Sequence, residues 1–337
     1  MRILVDVMGG DLPPRELVAG GVDAARRHSI DIVFVGDPTL IHEALAEQGE
    51  TLGGGFDLLP SSQIIRMDDI PVRAVREKTD SSLVLGLASL KAGKADAFVS
   101  PGNTGAVVAG ALFALGRIPG IPRPGLMAVL PSLRNQDFLV VDVGATADCT
   151  PEHLRAFALM GATYARSVLG IAEPSVGLLN IGEEDTKGNR ISNETFAMLR
   201  DSPLAFDGNV EPHRLLTDRP VDVVVCDGFV GNIFLKSIEG GIAAFSTLLK
   251  RSVLRNAITK AGAFLLRRSF ADMRKVFAYQ RRGGAPLLGV NGAVVIAHGR
   301  SDAEAISGAI DVARRQAEAR LGQRLAEGLE GWALHGS

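Results

Sequence analysis

The chain has 337 residues, 46% of them apolar and 5% aromatic, with a formal net charge of −2. This composition allows a large buried core. Aromatic residues are scarce and basic residues are not in excess, which argues against a protein that binds single-stranded nucleic acid. The two cysteines, Cys149 and Cys226, lack metal-site spacing. We find no signal-peptide pattern and no apolar run of the ~20 residues that span a bilayer, and we predict a cytoplasmic protein.

Short apolar runs alternate with helical patterns along the chain. The predicted strands are Arg2–Val7, Ile32–Val35, Ala95–Val99, Leu126–Leu130, Phe138–Val143, Ser175–Leu179, Val221–Cys226 and Ala293–Ala297. The predicted helices include one from Pro13 to about His28, Thr39–Gln48 capped by Asp37, a small-residue helix ending at Leu115, and Pro151–Leu169. This alternation predicts an α/β fold with a doubly wound, mostly parallel sheet. We expect one catalytic domain over residues 1–322 and a fraying polar tail over residues 323–337.

Polar, glycine-containing loops follow five of these strands. They are Asp6–Asp11, Ser100–Gly105, Asp142–Asp148, Asn180–Asn189 and Asp227–Asn232. Ligands of open α/β sheets bind at the carboxyl ends of the strands, so we expect the five loops to meet at one edge. Glycine lets the backbone approach a ligand, and the N-terminus of a following helix attracts anions.

Structural roles can account for several of the same residues. Turn, capping or packing roles suit Asp11, Asp142, Asp227, Asn103, Asn232, Gly102 and Gly105. Lys187 is either a solvated loop side chain or a phosphate contact, and His298 is either a strand-end histidine or a substrate contact. Cys226 ends an apolar strand and is predicted to belong to the core.

Several common catalytic motifs are missing from the sequence. It has no GxxxxGK[ST], no GxGxxG after the first strand, no GxSxG and no HExxH. These absences argue against a P-loop, a usual dinucleotide site, a hydrolase elbow and a zinc protease. The loops instead indicate a site that holds an anion and a carbonyl compound without a covalent nucleophile.

Taken together, the loop motifs resemble those of bacterial acyl-acyl carrier protein:phosphate acyltransferases. The residues that carry the resemblance are DVMGGD at Asp6–Asp11, SPGNTGA at Ser100–Ala106, GLLNIGEEDTKGN at Gly177–Asn189, CDGFVGNIFLKSIEG at Cys226–Gly240 and GGAPLLGVNGAVVIAHG at Gly283–Gly299. The resemblance covers about Met1 to Leu321. Pro101 and Thr146 depart from the family's usual Ala and Asn, and the second departure leaves the role of its loop open.

The resemblance implies transfer of a long-chain acyl group from acyl carrier protein to inorganic phosphate, which gives acyl phosphate for phosphatidic acid synthesis. It also implies a sheet similar to the isocitrate-dehydrogenase-like and phosphotransacetylase folds, a homodimer, and no metal or organic cofactor. Such a reaction needs orientation and oxyanion stabilisation more than a strong base.

Catalytic roles are expected of four side chains. Lys187, with helix N-terminal amides after Gly102 and Gly9, is expected to hold phosphate. Asn180 and Asn232 are expected to donate to the thioester carbonyl, and Asn103 or His298 to orient phosphate or assist the leaving sulfur. The predicted substrate- and phosphate-binding residues are Asp6, Gly9, Gly10, Asp11, Ser100, Gly102, Asn103, Thr104, Asp227 and Gly228.

Residues 240–282 are predicted to form a protruding, basic, amphipathic helical arm. Its segment from Lys250 to Arg282 contains ten Lys and Arg residues and one acid, Asp272. Three interpretations remain open: a solvated helical hairpin that packs across a dimer, a docking site for acidic acyl carrier protein, and reversible attachment to the anionic inner face of the cell membrane.

Three other functions compete with this assignment. A short-chain phosphotransacetylase using CoA thioesters would share the fold and the chemistry. A decarboxylating dehydrogenase would need a metal-binding carboxylate cluster, which Asp142, Asp148 and Asp227 imitate, and a nucleotide site that we do not find. A membrane-associated scaffold of phospholipid synthesis would explain the arm but not the loops.

Overall fold

A computed structural model describes residues 1–134, 136–270 and 283–333. Within these residues, eleven strands form one sheet. In chain order they are β1 (Arg2–Asp6), β2 (Asp31–Gly36), β3 (Phe56–Pro60), β4 (Ala97–Ser100), β5 (Gly125–Pro131), β6 (Asp137–Val141), β7 (Ser175–Leu179), β8 (Ala205–Val210), β9 (Val223–Val225), β10 (Ala285–Leu288) and β11 (Ala293–Ile296). Apolar inner strands such as β9 and β11 are buried along their whole length, because both faces of the sheet are covered.

Helices cover both faces of the sheet in the part of the chain that the structure describes, and two of them extend away from it. The helices are α1 (Pro14–His28), α2 (Pro38–Glu47), α3 (Pro71–Glu77), α4 (Ser82–Lys91), α5 (Thr104–Ala114), α6 (Pro151–Val168), α7 (Arg190–Arg200), α8 (Pro212–Thr217), α9 (Gly228–Val253), α10 (Ala257–Leu265), α11 (Ala303–Glu318) and α12 (Leu321–Ala333). Several begin at a proline, which fits the first helical turn because its backbone needs no N–H there. The predicted cap of α2 is present, since the Asp37 carboxylate accepts hydrogen bonds from the backbone of Thr39 and Leu40.

Strand direction reverses at the centre of the sheet. The strand order is β3-β2-β1-β4-β11-β10-β5-β6-β9-β7-β8. Pairing is parallel except that β10 is antiparallel to β11 and β5, and β5 is antiparallel to β6. As a result β6, β7 and β9 run opposite to β1, β4 and β11. The predicted mostly parallel sheet is confirmed, but the expectation of five loops at one edge is wrong: those after β1 and β4 lie at one edge and the other three at the opposite edge.

One face of the sheet carries a continuous core, and we call it the cleft face. Its cluster joins both halves of the sheet, from Phe98 and Ile296 to Ala128 and Val140, and packs against α4, α5 and the first part of α9. The opposite face carries two separate clusters, one beneath α1, α2 and α11 and one beneath α6, α7 and α12. The cleft face therefore links the two halves of the molecule.

The second half of α9 and the whole of α10 project from the body of the protein. In α9 only Gly228 and Gly231 are buried, and in α10 no residue is. A Cβ added at Gly240 or Gly241 would meet no atom within 4 Å. The predicted arm begins in this region, and its segment 271–282 lies outside the described residues. None of the described helices combines the length and apolarity needed to cross a bilayer.

The C-terminal segment differs from the expected polar tail. Helix α12 continues to Ala333, and Leu321 and Leu325 on it are 2% and 1% exposed. These leucines, four residues apart, lie on one face of the helix and pack into the cluster beneath α6. Apolar side chains at helical spacing therefore order a segment whose overall composition is polar.

Candidate functional site

At the first loop edge, a buried carboxylate ties β1 to β4. Asp6 is 1% exposed; its Oδ1 accepts hydrogen bonds from the N–H groups of Met8 at 3.0 Å and Gly9 at 3.1 Å. The Ser100 hydroxyl donates to Asp6 Oδ2 at 2.7 Å and accepts from Gly102 N at 3.1 Å. A Cβ on Gly9 would approach Gly102 Cα to 2.9 Å, so the two loops need glycine at their contact. The predicted binding residues Asp6, Gly9, Ser100 and Gly102 thus come together, as a scaffold.

At the opposite edge, the carboxylate of Asp142 holds the loop after β6 through hydrogen bonds to its backbone. Asp142 is fully buried, and its carboxylate accepts hydrogen bonds from the N–H groups of Leu126, Gly144 and Ala145 at 2.8–2.9 Å and of Thr146 at 2.6 Å. Thr146, the departure from the resembled family, also donates its hydroxyl to the Pro124 carbonyl at 3.2 Å. The loop is thus held in place by one acidic side chain.

Burial dominates the titration of these groups. It raises the pKa of Asp6 and of Asp142 above the ordinary carboxyl value, although hydrogen bonds to each carboxylate act in the other direction. Burial likewise raises the pKa of the Cys149 thiol to about 12 and that of the Cys226 thiol well above its ordinary value. Cys226 is in the core as predicted, and neither thiol has the thiolate character of a nucleophile.

The start of α9 lies directly against the Asp142 backbone. A Cβ on Gly231 would overlap the Asp142 carbonyl oxygen, whereas one on Gly240 of the same helix meets nothing within 4 Å. We expect Gly231→Ala to destabilise the fold by ~2 kcal/mol or more, because backbone must move to make room. Gly240→Ala is the matched control and should be neutral or stabilising by ~0.5–1 kcal/mol. Urea unfolding of both variants measures the difference, and equal stabilities would contradict this packing.

An open cleft of about 290 Å³ lies on the cleft face, between α5 and α9. Its floor is formed by β5, β10, β11 and the segment after β6, and its rim is polar. The rim side chains are Thr104, Asn232, Lys236, Glu239, His298 and Ser301. No group of three His, Cys, Asp or Glu side chains in the described ranges is arranged to hold a metal ion.

The first wall of the cleft combines a helix N-terminus with a histidine. Thr104 and Gly105 form the exposed first turn of α5, where backbone N–H groups have no partner within the helix. His298 Nδ1 accepts a hydrogen bond from the backbone N–H of Arg300 at 3.1 Å. In the neutral ring, the proton therefore resides on Nε2. This wall offers hydrogen-bond donors and the positive end of a helix dipole.

The second wall is one face of α9. Asn232 and Lys236 are one helical turn apart and both line the cleft. The Asn232 amide makes no hydrogen bond within the described part of the chain, and its Nδ2 lies 3.1 Å from a Cβ built on Gly144. The capping role that suits Asn232 in the sequence is not found, because α9 begins at Gly228 and Asp227 caps it by accepting from Val230 N at 2.8 Å. Asn232 is therefore free of capping and faces the cleft.

Other predicted residues hold the framework together. Asn103 caps α5 by accepting from Ala106 N, and its Nδ2 donates to the Met67 and Asp69 carbonyls. A Cβ on Gly228 would lie 2.6 Å from Asp142 Oδ2, so Gly228 permits close packing.

Gly10 and Asp11 lie against the loop that follows His298. The Asp11 N–H donates to the Gly299 carbonyl at 2.7 Å, and a Cβ on Gly10 would lie 3.3 Å from the same oxygen. The loop after β1 therefore positions the loop that carries His298.

The loop after β7 does not contribute side chains to the cleft lining. Asn180 Nδ2 donates to the Lys187 carbonyl and to Asn209 Oδ1, both at 3.0 Å, and its Oδ1 accepts from Ile181 N. Both of its amide hydrogens are used within the fold and Asn180 does not line the cleft, so its donation to the thioester carbonyl stays a prediction, which the Asn180→Ala variant tests. Lys187 is exposed, and a Cβ on Gly182 would lie 2.9 Å from its Cγ.

Sequence reasoning missed Lys236, Glu239 and Ser301 at the cleft. Lys236 lies inside a motif that carried the resemblance, four residues after the predicted Asn232. That spacing places both on one face of a helix, and it is the signal that identifies Lys236. Glu239 extends the same face by a further turn. Ser301 has no comparable sequence signal.

Comparisons with known proteins agree with the predicted family. The model of the family described as fatty acid synthesis protein matches residues 1–324. A phosphate acyltransferase from Desulfitobacterium hafniense is 45% identical over 318 residues, covering 94% of each chain. One from Heliobacterium modesticaldum is 45% identical over 315 residues, covering 94% of this chain and 93% of the relative.

Solved structures agree with the predicted fold. A phosphotransacetylase from Streptococcus pyogenes superimposes with a TM-score of 0.63 at 17% identity, covering 94% of both chains. A branched-chain phosphotransacylase from Enterococcus faecalis V583 gives 0.57 at 15% identity, covering 94% of this chain and 99% of the other. The predicted likeness to the phosphotransacetylase fold is confirmed. The chain belongs to the fatty acid synthesis protein family, among the relatives named phosphate acyltransferase.

Proposed function

We propose that this protein transfers a long-chain acyl group from acyl carrier protein to inorganic phosphate, giving acyl phosphate and the free carrier thiol. The observation that carries the proposal is the cleft, in which Asn232 and Lys236 on one wall face His298 and the N-terminus of α5 on the other, above an apolar floor. It offers donors and positive charge for an anion and a carbonyl, beside apolar surface for a chain. Family membership supports the same chemistry.

Phosphate binds between the two helices in this proposal. The first-turn N–H groups of Thr104 and Gly105 donate to its oxygens, and the Lys236 ammonium supplies positive charge from the opposite wall. We assign this role to Lys236 in place of Lys187, because Lys236 lines the cleft. Asp6, Ser100 and Asn103 act indirectly, by holding the turn that leads into α5.

The transfer needs no enzyme-bound acyl group. A phosphate oxygen forms a bond to the thioester carbonyl carbon, and the carbon–sulfur bond breaks. The Asn232 amide donates to the carbonyl oxygen as negative charge develops there. The proton lost by the phosphate ends on the departing sulfur, and the Nε2–H group of His298 donates a hydrogen bond to that sulfur as negative charge develops there.

Phosphate-dependent thiol release from palmitoyl-acyl carrier protein, with hydroxylamine trapping of acyl phosphate, tests this function. We expect turnover that requires both phosphate and the carrier protein. Butyryl-CoA serves as the comparison substrate, since preference for it would favour a short-chain phosphotransacetylase. Folded protein without turnover on either thioester would reject the proposal and favour a scaffold of phospholipid synthesis.

We further propose a homodimer. The first turns of α9 expose Phe229, Val230 and Ile233 by 61%, 42% and 51%, a surface suited to a second copy. Light scattering should give twice the chain mass of 35.5 kDa. A monomer at micromolar concentration would overturn the assignment.

The projecting helices suit reversible contact with anionic lipid, which would place the protein at the inner face of the membrane. Residues 240–270 contain no acid and six Lys and Arg residues. Ile258 and Leu265 on α10 are 84% and 81% exposed. Basic charge beside exposed apolar side chains is the pattern of a peripheral contact.

Ile258→Glu with Leu265→Glu is expected to weaken binding to phosphatidylglycerol vesicles at least tenfold, since each insertion of a large apolar side chain contributes ~1.5–3 kcal/mol. Leu133→Glu, an exposed leucine on the body of the protein, is the control and should bind normally. Vesicle co-sedimentation measures both. Unchanged binding of the double variant would show that another surface meets the lipid.

A further inference from the structure

The floor of the cleft is hydrocarbon, in contrast to its polar rim. Leu126 and Ala128 of β5, Ala285 of β10, Ile296 of β11 and Val143 form it. All five belong to or pack against the core of the cleft face. The cleft therefore presents apolar surface directly beneath the groups that are proposed to perform the transfer.

Two alanines lie on neighbouring strands of this floor. The register pairs Leu287 of β10 with Leu126 of β5, which places Ala285 level with Ala128. On its other side Ala285 pairs with Ile296. Gly283 and Gly284 precede Ala285 and also line the cleft, so small residues leave a depression in this part of the floor. A larger side chain at either position would fill it.

The depression continues towards α9. Leu235 of α9 lines the cleft, and Ile238, Ile242 and Phe245 follow it at helical spacing. Leu235 and Ile238 pack against the core, whereas Phe245 is 59% exposed. An apolar path thus runs from the floor along one face of α9.

We propose that the first carbons of the acyl chain lie on this floor, over Ala128 and Ala285, and that side-chain size at these two positions selects the acyl group. The inference rests on the proposed acyl transfer. The carbonyl then lies at the rim near Asn232, and the rest of a long chain follows the apolar face of α9. Each methylene that gains apolar contact improves binding by about fourfold.

Ala285→Leu tests the assignment through the chain-length profile. We expect kcat/KM for palmitoyl-acyl carrier protein to fall at least tenfold relative to that for the acetyl thioester, because the leucine occupies the floor on which the carbons beyond the acetyl methyl group lie. Ala285→Val should give a smaller shift in the same direction. Ala114→Leu is the matched control, since Ala114 also packs against this core but lies outside the cleft, and its profile should equal that of the unaltered protein.

Photo-crosslinking gives a second measurement that does not depend on a variant folding. A carrier-bound acyl chain with a diazirine near its carbonyl should label peptides of β5 and β10. Labelling confined to other segments, or an unchanged chain-length profile in folded Ala285→Leu protein, would overturn the floor assignment. Unaltered protein that reacts with no thioester would instead reject the proposed acyl transfer itself.

Discussion

Asn232→Ala is expected to lower kcat by ~10²–10³ while leaving the unfolding temperature unchanged, as loss of an oxyanion donor does in other acyl transfers. The Asn232 amide faces the cleft and has no hydrogen-bond partner among the described residues, so its removal leaves no buried group unsatisfied. Steady-state kinetics with palmitoyl-acyl carrier protein, together with thermal unfolding, measure both quantities.

Asn180→Ala is the matched control for this variant. Asn180 is 8% exposed and makes three hydrogen bonds within its own part of the fold. Its loss should lower the free energy of unfolding by ~2 kcal/mol, because the groups that it bonds are left without partners. Any loss of activity should be proportional to the loss of folded protein. The assignment of the two asparagines fails if Asn180→Ala proves stable but inactive, or if Asn232→Ala retains its full rate.

Lys236→Met should raise the KM for phosphate by ~10–100-fold, the equivalent of a charge-assisted hydrogen bond of ~1.5–3 kcal/mol. Methionine keeps much of the side-chain length and removes the charge. The KM for the acyl thioester should change far less, because the lysine is assigned to the anion. Initial rates over a phosphate series at fixed thioester measure the effect.

Lys187→Met distinguishes the two lysines that have been considered for phosphate. Lys187 is exposed in the loop after β7 and does not line the cleft, so its replacement should leave the phosphate KM within about twofold, the scale of a surface charge change. A large KM increase for Lys187→Met, with none for Lys236→Met, would return the phosphate site to the loop after β7.

Eight of the eleven described strands could be predicted from the sequence, whereas the edge strands β3 and β8 and the central strand β10 could not. Runs such as Val223–Val225 and Ala293–Ile296 are apolar and β-branched, which identifies buried strands. Strand β10 has four residues and contains Pro286, and proline normally argues against a central strand. The separation of the five loops arises where β5 pairs antiparallel with β6, because β10 is antiparallel to both of its neighbours and leaves β5 parallel to β11.

The positions of the polar loops could be predicted from the sequence, but the roles of their side chains could be predicted only in part. Glycine and asparagine mark the places where the backbone turns tightly, and Asp6 and Asp142 proved to be the carboxylates that hold those turns. Spacing along the chain cannot tell a side chain that bonds its own loop, such as Asn180, from one that faces a cleft, such as Asn232. The apolar floor of the cleft could not be predicted from the sequence either, because Ala128 and Ala285 come to the same level only when strands that are distant in the chain have paired.

The position of β10 and β11 in the sheet also determines when the fold can be completed. These two strands join β4 to β5, yet they come from residues 285–296, after all the other strands. A growing chain therefore first makes two half-sheets, in which β4 and β5 present open edges that invite pairing with other chains. Release of the segment from Ala285 onward closes both edges at once and builds the cleft floor, so truncation before β10 should yield aggregation and not partial activity.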